Sequence, residues 1–152
     1  MAAHNELGKW GEQIATDYLK SLGWQILHND WKYKHKDLDV VGFDPETQMI
    51  VFVEVKTRSS SLWGEPSEAI TLQKKVNIIN AATAYLYKYN LFGKKWRYDS
   101  ICIVGTPETT HTLKHNTNIA NVLDKYNYYT NKHKRPRRNN GTWGTMRWGR
   151  FI

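Results

Sequence analysis

The chain has 152 residues, 40% of them hydrophobic, with 22 Lys+Arg against 14 Asp+Glu and a formal net charge of +8. That length suits one domain with one core, and the hydrophobic fraction argues against global disorder. No stretch approaches the run of about 18 apolar residues that a membrane-crossing helix needs, so no membrane association is expected.

Residues 5–22 predict an amphipathic helix. Leu7, Trp10, Ile14, Tyr18 and Leu22 recur at three- and four-residue steps along one face, with Asn5 as N-cap and Gly23 as stop. Ahead of it, Met1-Ala2-Ala3-His4-Asn5-Glu6 has neither the basic nor the apolar region of a secretory signal, which points to a cytoplasmic protein. Residues 24–32 read as a short extended segment entered through Trp24, Ile26 and Leu27. Asp37 to Phe43 has a strand pattern, Asp44-Pro45-Glu46-Thr47-Gln48 is turn chemistry, and Met49 to Lys56 is a second strand. The apolar run of that second strand predicts burial on both faces, hence a central place in a sheet.

Thr57 to Pro66 is expected as a loop and residues 67–89 as the longest helix, with Ala69, Leu72, Val76, Ile79, Thr83 and Leu86 facing the core. After a turn over Asn90–Lys95, Trp96 to Val104 forms another strand, and a weaker helix is expected over Ile119–Tyr126. The single cysteine, Cys102, lies in the apolar Ile101-Cys102-Ile103-Val104 and reads as a buried strand residue, not a reactive thiol. The order of elements is that of an α/β layered domain, a sheet covered by helices. Its expected extent is residues 1–129.

Residues 130–152 differ in kind. They carry Lys132, Lys134, Arg135, Arg137, Arg138, Arg147 and Arg150 and no acid, and the rest of the chain is left with 15 basic and 14 acidic residues. The basic excess belongs to this tail, which has no apolar periodicity and is expected to be disordered without a partner. A polyanion such as nucleic acid is one partner that such charge suits, through counterion release; a solvated solubility tail is the other reading of charge alone.

The chemistry-bearing residues lie in the hairpin. If it is centred between Glu46 and Thr47, Phe43 faces Ile50, Val41 faces Phe52 and Asp39 faces Glu54, with opposed Cβ atoms roughly 5 Å apart. Glu54 and Lys56 share a face by the period of two. Two carboxylates so placed repel, and burial adds to the cost, so positive charge is called for; Lys56 supplies one, and a divalent ion would supply more. Mg²⁺, which takes few protein oxygens, suits two carboxylates and a backbone carbonyl, and it can polarise a phosphodiester. Glu-x-Lys alone arises often by chance; what raises it here is a carboxylate placed opposite across the turn.

Gly11-Glu12 with Ala15, Tyr18-Leu19 and Gly23, then Asp37 to Val41, then Val51 to Arg58, resemble the YraN-like family of predicted bacterial endonucleases. The likeness continues through Glu68-Ala69-Ile70-Thr71, Lys74, Ala82, Tyr85-Leu86 and Arg97-Tyr98-Asp99, spanning roughly residues 5–104 in order. That family is similar to archaeal Holliday-junction resolvases. The resemblance implies a restriction-endonuclease-like α/β/α domain with a mixed central sheet, of the PD-(D/E)XK type. It implies that Asp39 and Glu54 hold Mg²⁺ or Mn²⁺, that Lys56 serves the attacking water, and that Glu12 supports the site from the helix. DNA, branched by analogy with resolvases, is the implied substrate, and a homodimer the implied assembly. Two departures stand out. Lys36-Asp37 replaces the Gly-Glu that usually precedes the Ile-Asp, and Lys74-Lys75 stands where Lys-Gln is usual, Gln73 lying ~200° round the helix from that place.

Lys74, Lys75, Arg58, Arg135, Arg137 and Arg138 are the expected nucleic-acid contacts. Several of these residues have plainer readings. Glu12 reads equally as a surface glutamate, Arg58 and Ser59–Ser61 as a solvated loop, and Asp99 as the anchor of a strand end. Trp63 suits packing, whereas Trp143 and Trp148 suit stacking on bases. The expected activity is metal-dependent hydrolysis of DNA, and the alternative is a non-catalytic nucleic-acid-binding protein on the same fold.

Overall fold

The computed structural model describes residues 2–34, 36–60 and 71–121. The first helix, α1 (Ala2–Ser21), starts three residues before its expected start and ends at a glycine. Gly23 takes φ 86, its amide donates to the Lys20 carbonyl at 2.9 Å, and the Trp24 amide donates to the Leu19 carbonyl at 3.2 Å. This paired closure satisfies the last carbonyls and needs a left-handed residue that glycine adopts without strain. Leu19 and Trp24 pack in the same buried cluster.

Five strands follow in the sheet order β1-β2-β3-β4-β5, namely β1 (Gln25–Tyr33), β2 (Lys36–Asp44), β3 (Met49–Arg58), β4 (Trp96–Val104) and β5 (Thr112–Asn121). The β3–β4 pair is parallel and the other three are antiparallel, so the sheet is mixed as expected. A parallel pair needs a crossover, and α2 (Leu72–Lys88) lies in it. The hairpin register is the expected one, with Phe43 opposite Ile50 and Val41 opposite Phe52. Asp44 fixes the turn by accepting the Glu46 amide at 2.9 Å and the Thr47 hydroxyl at 2.8 Å.

Alternation along β3 and β4 builds two cores. Val51, Val53, Ile101 and Ile103 pack with Ala15 and Leu19 of α1. Ile50, Phe52, Trp96 and Tyr98 pack with Ile78, Ala82 and Tyr85 of α2 on the other face. The result is a helix–sheet–helix sandwich, compatible with the expected restriction-endonuclease-like fold.

Two expectations are corrected. Residues 119–121 belong to strand β5, not to a helix; the remainder of the expected Ile119–Tyr126 helix lies outside the described residues. β5 is a polar edge strand, Thr-Leu-Lys-His-Asn-Thr-Asn-Ile-Ala-Asn, held by its ladder to β4, with a break in register between Tyr98 and Ser100 that hides its periodicity. The α2 helix starts at Leu72 because Thr71 is its N-cap, extended at φ −71 and ψ 157, its hydroxyl accepting the Lys74 amide at 3.1 Å. Leu72, expected to face the core, is 62% exposed in that first turn. Among the described residues no helix is long and apolar enough to cross a membrane.

Asp99 is a strand anchor. It is fully buried, it accepts two hydrogen bonds from Arg97 and one from the Asn118 amide, and its other partner is His115 at 2.8 Å. Arg97 also donates to Asp44 at 3.0 Å, which ties β4 to the hairpin turn. With its charge matched and its oxygens occupied, this cluster leaves Asp99 no role as a metal ligand.

Candidate active site

The β2–β3 ladder ends at Val40 opposite Val53. Beyond that point β2 stays paired with β1 as far as Lys36, and β3 stays paired with β4 as far as Arg58. The two middle strands therefore part inside the sheet. At the parting, Leu38 packs on the α2 side and Val40 on the α1 side, although residues two apart in a regular strand share a face. The break falls on Asp39. Across from it on β1, between the pairs Asn29–Val40 and Trp31–Leu38, Asp30 has a left-handed φ of 50, which aspartate tolerates.

Asp39 therefore does not meet Glu54 as a regular ladder pair, the geometry the hairpin register implied. Its carboxylate turns to β3 and accepts the Val55 amide at 2.8 Å, taking the place of a backbone carbonyl. Burial pushes the Asp39 carboxyl up from 3.8 to about 6; the Val55 hydrogen bond opposes that shift and the charge of Glu54 adds to it. The charges of Glu54 and Asp39 are also felt by the buried Tyr98 phenol, whose pKa burial raises first and these carboxylates raise further.

Glu54 is surrounded by ammonium groups. Lys74 of α2 lies 2.9 Å from Oε2, Lys56 lies 4.0 Å from the same oxygen, and Lys36 lies 3.9 Å from Oε1. Oε2 is buried and makes no hydrogen bond, so Lys74 meets it as an ion pair lacking hydrogen-bond alignment. Burial lowers the Lys36 pKa; the Glu54 charge opposes that, and the Lys74 charge adds to it.

Glu12 enters from α1. Its carboxyl is raised by burial first and then by the charge of Asp39, with Asp30 and Asp37 adding to it. The approach depends on Gly11, since a Cβ there would stand 1.9 Å from the Thr57 hydroxyl of β3. Glycine lets the helix close on the strand that carries Glu54 and Lys56.

Asp39, Glu54 and Lys56 are thus drawn together, Asp39 through a break in its strand, while Glu12 comes under the charge of Asp39 from the α1 side. Lys74, expected on a nucleic-acid surface, is among the described residues the cation nearest Glu54, because α2 lies over this face of β3. Lys75 is partly buried on α2 and Arg58 is exposed at the end of β3. Arg135, Arg137, Arg138, Trp63, Trp143 and Trp148 lie outside the described residues, as does the whole of the expected tail. Sequence reasoning gave Lys36 and Tyr98 no part in the site. For Lys36 the signal was a lysine three residues before the aspartate; Tyr98, between Arg97 and Asp99 on β4, carried none.

A divalent cation would find hard oxygens here. Asp39 is a half-buried acid with a like charge nearby, and Glu54 offers a buried oxygen paired with the Lys74 ammonium at 2.9 Å, which a divalent cation could replace. These two side chains fit a cation that keeps most of its water. Among the described residues, no group of three or more His, Cys, Asp or Glu side chains is arranged as a ready metal cage.

Comparison with known proteins gives consistent relatives. A UPF0102 protein of Bacteroides thetaiotaomicron is 41% identical over 105 residues, covering 69% of this chain and 84% of its own. One from Phocaeicola vulgatus is 40% identical over 115 residues, 76% of this chain and 92% of its own. One from Myxococcus xanthus is 35% identical over 107 residues, 70% and 83% respectively. The sequence profile of uncharacterised protein family UPF0102 matches residues 11–103, which run from the glycine under Thr57 to the end of β4, and the chain belongs to that family.

Proposed function

We propose that this protein is a metal-dependent nuclease that hydrolyses phosphodiester bonds in DNA, with Asp39 and Glu54 as the ligands of Mg²⁺ or Mn²⁺. The observation that carries this reading is the parting of β2 and β3, where two acidic side chains converge and Asp39 is forced up to about pH 6. Two like charges in one notch cost stability, which the lysines around Glu54 offset in part and a cation held by both carboxylates would offset further. Bound there, the cation would polarise the phosphodiester and acidify water. Lys56, on the same face as Glu54, orients the attacking water and offsets charge as it gathers on the phosphate. Asp39 is held in place by the Val55 amide, and Glu12 supports the site from α1. Branched DNA is the substrate favoured, by analogy with the resolvases to which the YraN-like family is similar.

A specific observation favours a second reading, a non-catalytic nucleic-acid-binding protein. Lys36, Lys56 and Lys74 already neutralise Glu54, and a lysine cluster suits phosphate without a metal. A cleavage assay separates the two. Four-way junctions, flaps, linear duplex and single strands are offered with Mg²⁺ or Mn²⁺ to wild type, Asp39→Asn, Glu54→Gln and Lys56→Ala. The nuclease should cut at least one substrate, and each substitution should abolish cutting. Asp39→Asn and Glu54→Gln should still bind DNA as well as wild type or better, since a charge that repels the phosphate is gone. Binding without cleavage by wild type would favour the second reading, and cleavage by the carboxylate variants at the wild-type rate would place any activity elsewhere.

A further inference from the structure

The three ammonium groups around Glu54 divide unevenly between its oxygens. Lys56 and Lys74 lie on Oε2, whereas Lys36 lies on Oε1 at 3.9 Å. Lys36 begins β2, at the end where that strand has left β3. Its side chain is only 18% exposed, and its ammonium stands 5.5 Å from the centre of the Tyr98 ring. A lysine that serves solubility extends its charge into water. This one turns inward over an aromatic ring to a carboxylate.

Resting on the nuclease reading above, we propose that Lys36 is a substrate-contacting residue, held on Glu54 in the cation-free protein and passed to a phosphate of the DNA once a divalent cation takes that carboxylate. A divalent cation and an ammonium compete for the same oxygens, and they repel each other at a few ångströms. The displaced ammonium needs a new anion. The phosphodiester that the cation binds supplies it within reach, and Lys36 and Lys56, placed on different oxygens of Glu54, can meet it as separate point charges.

The competition has a signature that a packing role lacks. In the full-length protein, Mn²⁺ affinity is measured by isothermal titration for wild type, Lys36→Gln and Lys36→Arg. Lys36→Gln should bind Mn²⁺ about tenfold tighter, because a positive charge beside the carboxylates is gone, and Lys36→Arg should stay within about twofold of wild type. With Mn²⁺ saturating, Lys36→Gln should bind DNA several-fold more weakly, read as KM where cleavage occurs and as Kd where it does not. Its binding should also fall less steeply with salt, by about one unit of slope. Lys36→Met, whose thioether can pack on the Tyr98 ring without a charge, gives the same test if Lys36→Gln does not fold. Mn²⁺ affinity that is unchanged or weaker in folded Lys36→Gln or Lys36→Met, with wild type binding Mn²⁺, overturns this inference alone. No Mn²⁺ binding by wild type overturns it together with the metal-dependent reading.

Discussion

Asp39 accepts the Val55 amide and stands in the field of Glu54, a placement that costs the cation-free fold stability. Its carboxyl titrates near 6 in the folded chain against an ordinary 3.8. Between those values the folded chain still holds a proton that the unfolded chain has released. The stability of the cation-free protein therefore falls as pH rises from about 4 to about 6. Asn at this position keeps an acceptor for the Val55 amide and removes the charge. In chelator-treated protein at pH 7, Asp39→Asn should raise stability to urea by about 1–3 kcal/mol and flatten that part of the pH profile. Equal or lower stability of the variant would mean that the carboxylate is at ease in its notch.

The helix α1 reaches β3 through one missing side chain. Alanine in place of an exposed helical glycine ordinarily stabilises by about 1 kcal/mol. At Gly11 the added methyl would lie 1.9 Å from the Thr57 hydroxyl, so Gly11→Ala should instead destabilise, by about 1–3 kcal/mol. Adding Thr57→Ala should recover part of the loss, and a thermal-unfolding cycle over the two positions measures the coupling. Additive effects would show that the two elements do not meet there. At this scale much of the fold was legible from sequence. Pro45 and the polar residues around it marked the turn, centring it between Glu46 and Thr47 set the register, and the continuous apolar run of β3 marked its central place. β5 was not legible, because an edge strand of Lys, His, Asn and Thr is held by backbone pairing with little apolar pattern. Nor was the break at Asp39, which depends on how two strands part and leaves no mark in a period of two. Lys56 could be placed from its spacing to Glu54. Lys36 and Lys74 could not be placed, since the strand opening and the packing of α2 bring them in.

Across the whole molecule, charge is unevenly spread, with seven basic and no acidic residues in positions 130–152. If these residues contact phosphates, deleting them should weaken DNA binding and reduce the salt slope by several units, measured by anisotropy between low and physiological salt. An unchanged slope would assign binding to the folded domain, where Arg58 and Lys75 are the candidates.

The notch between β2 and β3 gives the central claim its sharpest test, a crystal of the wild-type protein soaked in Mn²⁺ and read by anomalous scattering. Expected is one peak in contact with both Asp39 and Glu54, at oxygen distances of ~2.1 Å, with Lys74 moved away from Glu54. A crystal in which Glu54 keeps its 2.9 Å pair with Lys74, and no manganese lies between the two carboxylates, would contradict it.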